Sequence, residues 1–278
     1  MALASRLLAA GHTVYGFDVK PDSKQAFEAR GGVWTDNLSG LLHCDALVLA
    51  VFQTTDVEAV MQTLFLDAGA TPQSPRKLVI DCSTGEPKRL EILSKKLAVL
   101  GVDFIEAPLS GSSQQIANGE ATALIGSTQD IIEKHNDLLH TLSPTRLVAG
   151  VVGMGARAKL ATNLVLGLNR AVLAEGIVFA QTLGIAPAAF LQMVLHTPAK
   201  SDAALVKGER MVTENFAPES RIRQHLKDVD VMLAEANEQG QRLPLSEAHA
   251  ALMRAAIGAG DGDLDNAAII KQIQREKQ

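Results

Sequence analysis

The sequence predicts an α/β domain over residues 1–150 followed by an all-α domain over 151–278. Two patterns carry this reading. From residue 13 to about 150, short β-branched runs alternate with amphipathic stretches, as in βα units laid on a parallel sheet. Beyond that point the β-branched runs stop and long stretches of helical period take over. The composition agrees: 47% hydrophobic and 21% charged residues in a chain of 278 is that of a soluble globular protein with enough chain for a sizeable core.

The elements follow in order. Residues 1–10 read as a helix closed by Gly11. Strands are expected at 13–17, 46–51, 77–81, 102–105, 121–125 and 146–149. Between them, Thr55 followed by Glu58 reads as a capping box, and Pro87 suits a first helical turn, where its missing N–H costs nothing. Gly31 and Gly101 stand where helices should stop. The segment 67–76, with its two prolines, is the most loop-like. In the second part, helices are expected at 156–184, 187–196, 219–239, 245–257 and 265–275. The tract 160–180 has the length of a membrane span, but Asn163, Asn169, Arg170 and Glu175 interrupt it, at a heavy cost for any lipid-facing helix. A buried helix of a soluble protein is expected there, and no membrane partner.

Twenty-six Lys and Arg against 31 Asp and Glu give a net charge of −5 with no basic run, so nucleic acid is not an expected partner. Cys44 and Cys82 have neither metal-ligand spacing nor a disulfide framework around them, and none of the seven histidines forms H-x-x-x-H, so no metal is expected. The apolar start carries Arg6 and His12, which does not make a signal peptide; a reducing cytoplasm is the expected location.

The opening of the chain is unusual for this pattern. In a dinucleotide-binding βαβ unit, the first helix is preceded by a strand and a G-x-G-x-x-G turn whose N–H groups hold the pyrophosphate. Here the sequence opens with that helix already under way. Either the chain is a fragment, its start lies upstream, or it binds no dinucleotide.

Several residues are candidates for chemistry. Asp18 ends the first strand, where a carboxylate accepts from both hydroxyls of an adenosine ribose and repels a 2′-phosphate, favouring NAD over NADP; an ordinary turn Asp before Pro21 is the alternative. Ser83 and Thr84 follow a strand at the sheet's carboxyl end, where they can meet a ligand or cap a helix. Ser110, Gly111 and Ser112 lie in a small-residue loop able to present N–H groups and hydroxyls to a carboxylate, or simply to turn. A nucleophilic serine does not fit, because Pro108 occupies the first glycine position of G-x-S-x-G. Gly153-Met154-Gly155-Ala156-Arg157-Ala158 mimics a cofactor loop but runs into a long helix instead of a βαβ unit. On that helix Lys159 and Asn163 are four apart and share a face. A desolvated lysine there suits proton transfer to or from a hydroxyl; a snorkelling lysine with a solvent-facing Asn is the bland alternative. Lys227-Asp228, bracketed by Arg221, Arg223 and His225, reads as a solvated charged face.

Taken together, the motifs resemble the β-hydroxyacid dehydrogenase family, which includes 3-hydroxyisobutyrate dehydrogenases, tartronate semialdehyde reductases and L-threonate dehydrogenases. The resemblance covers essentially the whole chain. It rests on Leu7 to Val14 with Asp18, on Asp81-Cys82-Ser83-Thr84, on Glu106-Ala107-Pro108-Leu109-Ser110-Gly111 continued by Ala117 to Thr122, and on Gly153-x-Gly155-x-x-x-Lys159-x-x-x-Asn163. It continues through Phe216 to Lys227-Asp228, Leu243-Pro244-Leu245 and the tail Gly262 to Ala268. The resemblance implies an N-terminally truncated Rossmann domain and an α-helical substrate and oligomerisation domain, joined by the helix of Lys159, with the active site in the cleft between them. By carry-over, Lys159 is the acid/base and Asn163 orients substrate. Ser110 and Gly111 bind the substrate carboxylate, Thr84 and Lys227 contact the cofactor, and Asp18 selects NAD. Ser112 departs from the family's second glycine, which narrows the carboxylate pocket or adds a hydroxyl for a polyhydroxy substrate. A small hydroxy acid is the implied substrate and a homo-oligomer the implied state. A catalytically silent member acting as a binding or assembly subunit is the alternative that the absent glycine loop raises.

Overall fold

The computed structural model describes residues 1–67 and 77–276. The stretch 68–76, expected as a loop, lies outside the described residues. The chain divides into two compact units, Met1–Lys159 and Leu160–Gln278.

The first unit runs α1 (Ala2–Ala9), β1 (Tyr15–Gly16), α2 (Lys24–Glu28), β2 (Val33–Trp34), β3 (Ala46–Leu49) and α3 (Thr54–Met61), which ends in a π-helical turn at Gln62–Leu66. It continues through β4 (Leu78–Asp81), α4 (Pro87–Val99), β5 (Asp103–Glu106), β6 (Leu109–Ser110), α5 (Ser113–Asn118) and β7 (Thr122–Gly126). Then come α6 (Gln129–Lys134), α7 (Asn136–Leu142), β8 (Thr145–Gly150) and the first turns of α8 (Met154–Thr182).

Its strands form two sheets. β1 and β2 make a parallel pair, and β3, β4 and β5 run parallel in a six-stranded sheet. β7 is antiparallel to β5 and β6 but parallel to β8. The sheet is therefore mixed, against the all-parallel expectation. The reversal follows from β6, which begins two residues after β5 and, like β5, is antiparallel to β7; α5 lies between β6 and β7.

The period-2 pattern of the strands sets two cores. Leu47, Leu49, Val79 and Phe104 pack with Val57, Met61, Leu90, Leu93 and Leu97. Their neighbours Leu78, Ile80 and Ile105 pack with Leu7, Ile132, Leu139 and Leu142. Each such side chain contributes about 1.5–3 kcal/mol on burial. Pro87 does open α4, and Gly101, with φ +73°, ends it. The capping box of α3 differs from expectation: Gln53 caps with Asp56, while Thr54 is buried and its hydroxyl accepts the Glu86 N–H. Glu58 pairs with Arg89 instead.

The second unit holds the rest of α8, then α9 (Pro187–Leu195), α10 (Asp202–Val212), α11 (Ile222–Glu238), α12 (Pro244–Gly258), a 3-10 turn at Asn266–Ala268, and α13 (Ile269–Arg275). α10 is not foreseen by the apolar period because two of its inward positions are Lys207 and Gly208. Ser201 caps it, accepting the Ala204 N–H. The core is built from Leu173, Ile177, Leu191, Ile222, Met232, Met253 and Ile270. α8 is only partly the buried helix expected. Ala171, Ala174 and Ile177 are buried, but Val165, Val172 and Phe179, seven residues apart, form an exposed apolar stripe.

Candidate active site

In the first unit the site is built around the start of α8. Glu106, at the end of β5, is 1% exposed, and its Oε2 accepts the N–H groups of Gly153 at 2.6 Å and Gly155 at 3.2 Å. Those N–H groups are therefore turned to a protein carboxylate, which is what becomes of the look-alike cofactor loop. Burial pushes the Glu106 carboxyl up to about 7, against the opposing pull of the Gly153 N–H; Asp81 adds to the rise, and the Gly155 and Ala156 N–H groups oppose it. Gly126 and Gly155 leave room for this contact: a Cβ at Gly126 would lie 2.2 Å from Glu106 Oε2, and one at Gly155 2.8 Å from the Leu124 carbonyl.

One turn further along α8, Lys159 is buried and its Nζ donates to the carbonyl of Leu109 at 2.7 Å. The structure thus brings Lys159 to the segment holding Ser110 and Gly111. That segment is not the plain loop expected. Leu109 and Ser110 form β6, opposite Ala123 and Thr122. At Gly111 a Cβ would lie 2.8 Å from that of Ala121, so the close approach requires glycine. Ser112 caps α5: its hydroxyl accepts the Gln115 N–H at 3.2 Å, and Gln115 Oε1 accepts the Ser112 N–H at 2.8 Å. One of its lone pairs thus serves the backbone.

In the second unit Asn163 is buried and its Nδ2 donates to Asp228 Oδ2 at 3.4 Å. Asp228 Oδ1 pairs with Lys227 at 2.8 Å. Lys227-Asp228 is thus not wholly the solvated face expected, because Asp228 lies on the buried side of α11 with His225. The ring of His225 stands 5.3 Å from that of His249. Burial, then the charge of Arg170, pushes His249 down to about 4, and burial lowers Arg170 itself to about 10.

Asp18 and Thr84 lie elsewhere in the first unit. Asp18 is exposed just beyond β1, and its Oδ1 accepts the Lys20 N–H at 2.8 Å. Thr84 follows β4, next to a buried Ser83 whose hydroxyl accepts the Val51 N–H at 3.0 Å and so ties the ends of β3 and β4. Ser83 is a brace that sequence reasoning left among the caps. Asp18, Thr84 and the exposed ring of Phe52 each lie just beyond the carboxyl end of a parallel strand, where ligands of open α/β sheets bind. Among the described residues no group of three or more His, Cys, Asp or Glu is arranged to hold a metal ion.

Glu106 is the buried carboxylate of this region that sequence reasoning did not single out. Its partners lie 47 and 49 residues downstream. The available signal was an acidic residue closing an otherwise apolar strand.

Comparison with known proteins gives two family models. Residues 1–155 match the NAD binding domain of 6-phosphogluconate dehydrogenase, and residues 153–273 match the NAD-binding family of NADP-dependent 3-hydroxyisobutyrate dehydrogenase. The chain is 28% identical to an L-threonate dehydrogenase of Cupriavidus necator over 97% of its own length and 91% of the relative's. It is 26% identical to a 2-hydroxy-3-oxopropionate reductase of Escherichia coli, covering 98% and 92%. A 3-hydroxyisobutyrate dehydrogenase from Salmonella typhimurium shares the fold, with TM-score 0.87 at 23% identity over 97% and 94% of the two chains. A Rossmann-type α/β unit, a helical unit and these matches together make the chain a member of the β-hydroxyacid dehydrogenase family, with an NAD(P)-binding domain at its N-terminal side.

Proposed function

We propose that the chain is an NAD-dependent dehydrogenase of a small β-hydroxy acid, with Lys159 as the acid/base. The observation that carries this is the buried Lys159, its Nζ held on the Leu109 carbonyl beside Ser110 and Gly111. A carbonyl accepts from an ammonium and from a neutral amine alike, so the same geometry serves before and after the proton moves. In the oxidation direction Nζ takes the substrate hydroxyl proton; in reduction it returns it. Ser110 and Gly111 receive the substrate carboxylate. Asn163, steadied by Asp228, orients the substrate, and the Lys227 ammonium supports the cofactor. Thr84 and Asp18 also bind the cofactor, and the Asp18 carboxylate favours NAD over NADP. A bound nicotinamide supplies the carbon that accepts the hydride.

The test begins with NAD binding to the chain by calorimetry, followed by steady-state rates with 3-hydroxyisobutyrate and L-threonate. Lys159→Ala is expected to lower kcat by about 10²–10⁴-fold while leaving NAD affinity within about twofold. Substantial residual turnover in that variant would sink the assignment.

A further inference from the structure

One buried charge is left unused by the proposed reaction. Glu106 sits at the positive end of the 29-residue helix α8, where a carboxylate is favoured by the aligned peptide dipoles. Its Oε2 holds the N–H groups of Gly153, just before α8, and of Gly155 in its first turn, while Oε1 is buried with no hydrogen-bond partner among the described residues. Lys159 stands four residues past Gly155. The carbonyl that receives its Nζ belongs to Leu109, three residues past Glu106. A single side chain therefore joins the helix that carries the lysine to the strand that leads to the lysine's acceptor.

We propose that Glu106 is a positioning residue: its carboxylate fixes the first turn of α8 and so sets Lys159 against the Leu109 carbonyl. The proposal rests on the acid/base reading of Lys159. The contact is a charge-assisted one, stronger than its neutral counterpart. Protonation of Glu106 weakens it, and burial brings that protonation near neutral pH. The charged groups around it are Asp81 on β4, which disfavours its ionisation, and the Glu91–Arg157 ion pair flanking Gly153. Lowering the pH through neutrality is thus expected to loosen the start of α8 and to slow turnover in both reaction directions.

Glu106→Gln keeps the shape and removes the charge. Two readouts apply to the whole chain. Without cofactor or substrate, hydrogen exchange of the amides from 153 to 159 at pH 8 is expected to be about tenfold faster in the variant, with exchange in the second unit unchanged. With substrate, the wild-type rate in the reduction direction is expected to rise from pH 6 to 8. In the variant this rise is absent, kcat at pH 8 is about tenfold lower, and KM stays within about twofold. Glu106→Asp, which keeps the charge, is expected to restore the rise at acid pH in part. Unchanged exchange, or an unchanged acid limb in Glu106→Gln, overturns the proposal. An active Lys159→Ala variant overturns it as well by removing the acid/base; an exchange difference that survives in Glu106→Gln tells that failure from a failure of the clamp.

Discussion

Replacing Asp265 by Ala tests what the C-terminal tail contributes. Its carboxylate is fully buried. Oδ2 accepts from Lys207 Nζ at 3.0 Å and from the N–H groups of Glu219 and Ser220, both at 3.2 Å, and Oδ1 accepts the Ala267 N–H at 3.0 Å. Burial raises its affinity for a proton, but the Ala267 N–H, Lys207 and the Ser220 N–H outweigh this and hold the group below the usual carboxylate range. Removing the carboxylate strands the buried Lys207, which keeps only the half-exposed Glu219 as a counter-ion, and leaves Arg170 without the negative charge it senses. Breaking a buried pair in this way costs about 3–5 kcal/mol. For a domain of this size that lowers the melting temperature by roughly 10–20 °C. Asp265→Asn, which keeps an acceptor, is expected to lose about half as much. The measurement is denaturant unfolding at pH 7 and again on acidification. The wild-type advantage is present above the ordinary aspartate value of 3.8 and is lost as pH falls through the lower folded value. A loss below about 1 kcal/mol in the alanine variant would refute the reasoning.

Three further outcomes are expected. Between pH 7.5 and 5, wild type should lose about 2 kcal/mol that His249→Gln does not lose, because His249 protonates near 6.5 when unfolded but near 4 when buried; parallel pH curves would contradict this. Asp18→Ala should raise the NADP-to-NAD ratio of kcat/KM by about tenfold, and an unchanged ratio would remove Asp18 from cofactor selection. Light scattering should give a mass above the monomer's, and Val172→Glu with Phe179→Glu, at positions 67% and 62% exposed, should lower it; a monomeric wild type counts against the stripe as a self-association face.

The strand positions were legible because β-branched runs stood between turn residues, and Pro87 announced α4 through its missing N–H. β2 and β6 were not, since Val33–Trp34 and Leu109–Ser110 are two-residue strands too short for any period to show. α10 was hidden by Lys207, whose charge is neutralised by Glu219, beyond the end of α10, and by Asp265, which caps the distant 3-10 turn. That Lys159 and Asn163 share one helix was readable from their spacing. Glu106 and Asp228 were not, because a carboxylate's role depends on donors far away in sequence: Gly153 for one, Asn163 for the other.

The separate ladder of β1 and β2 has a thermodynamic consequence. It is held by few backbone hydrogen bonds and by Phe27, whose ring lies so close to Gly16 and Gly32 that a Cβ at either would fall 2.6 or 2.3 Å from it. A two-stranded ladder is marginal on its own, so residues 13–36 form a cooperative patch that opens at lower free energy than the six-stranded sheet. Asp18 lies on that patch. A dinucleotide that engages it would spend part of its binding free energy closing the patch, so its affinity would fall with any mutation that loosens Phe27, however far that ring stands from the ligand.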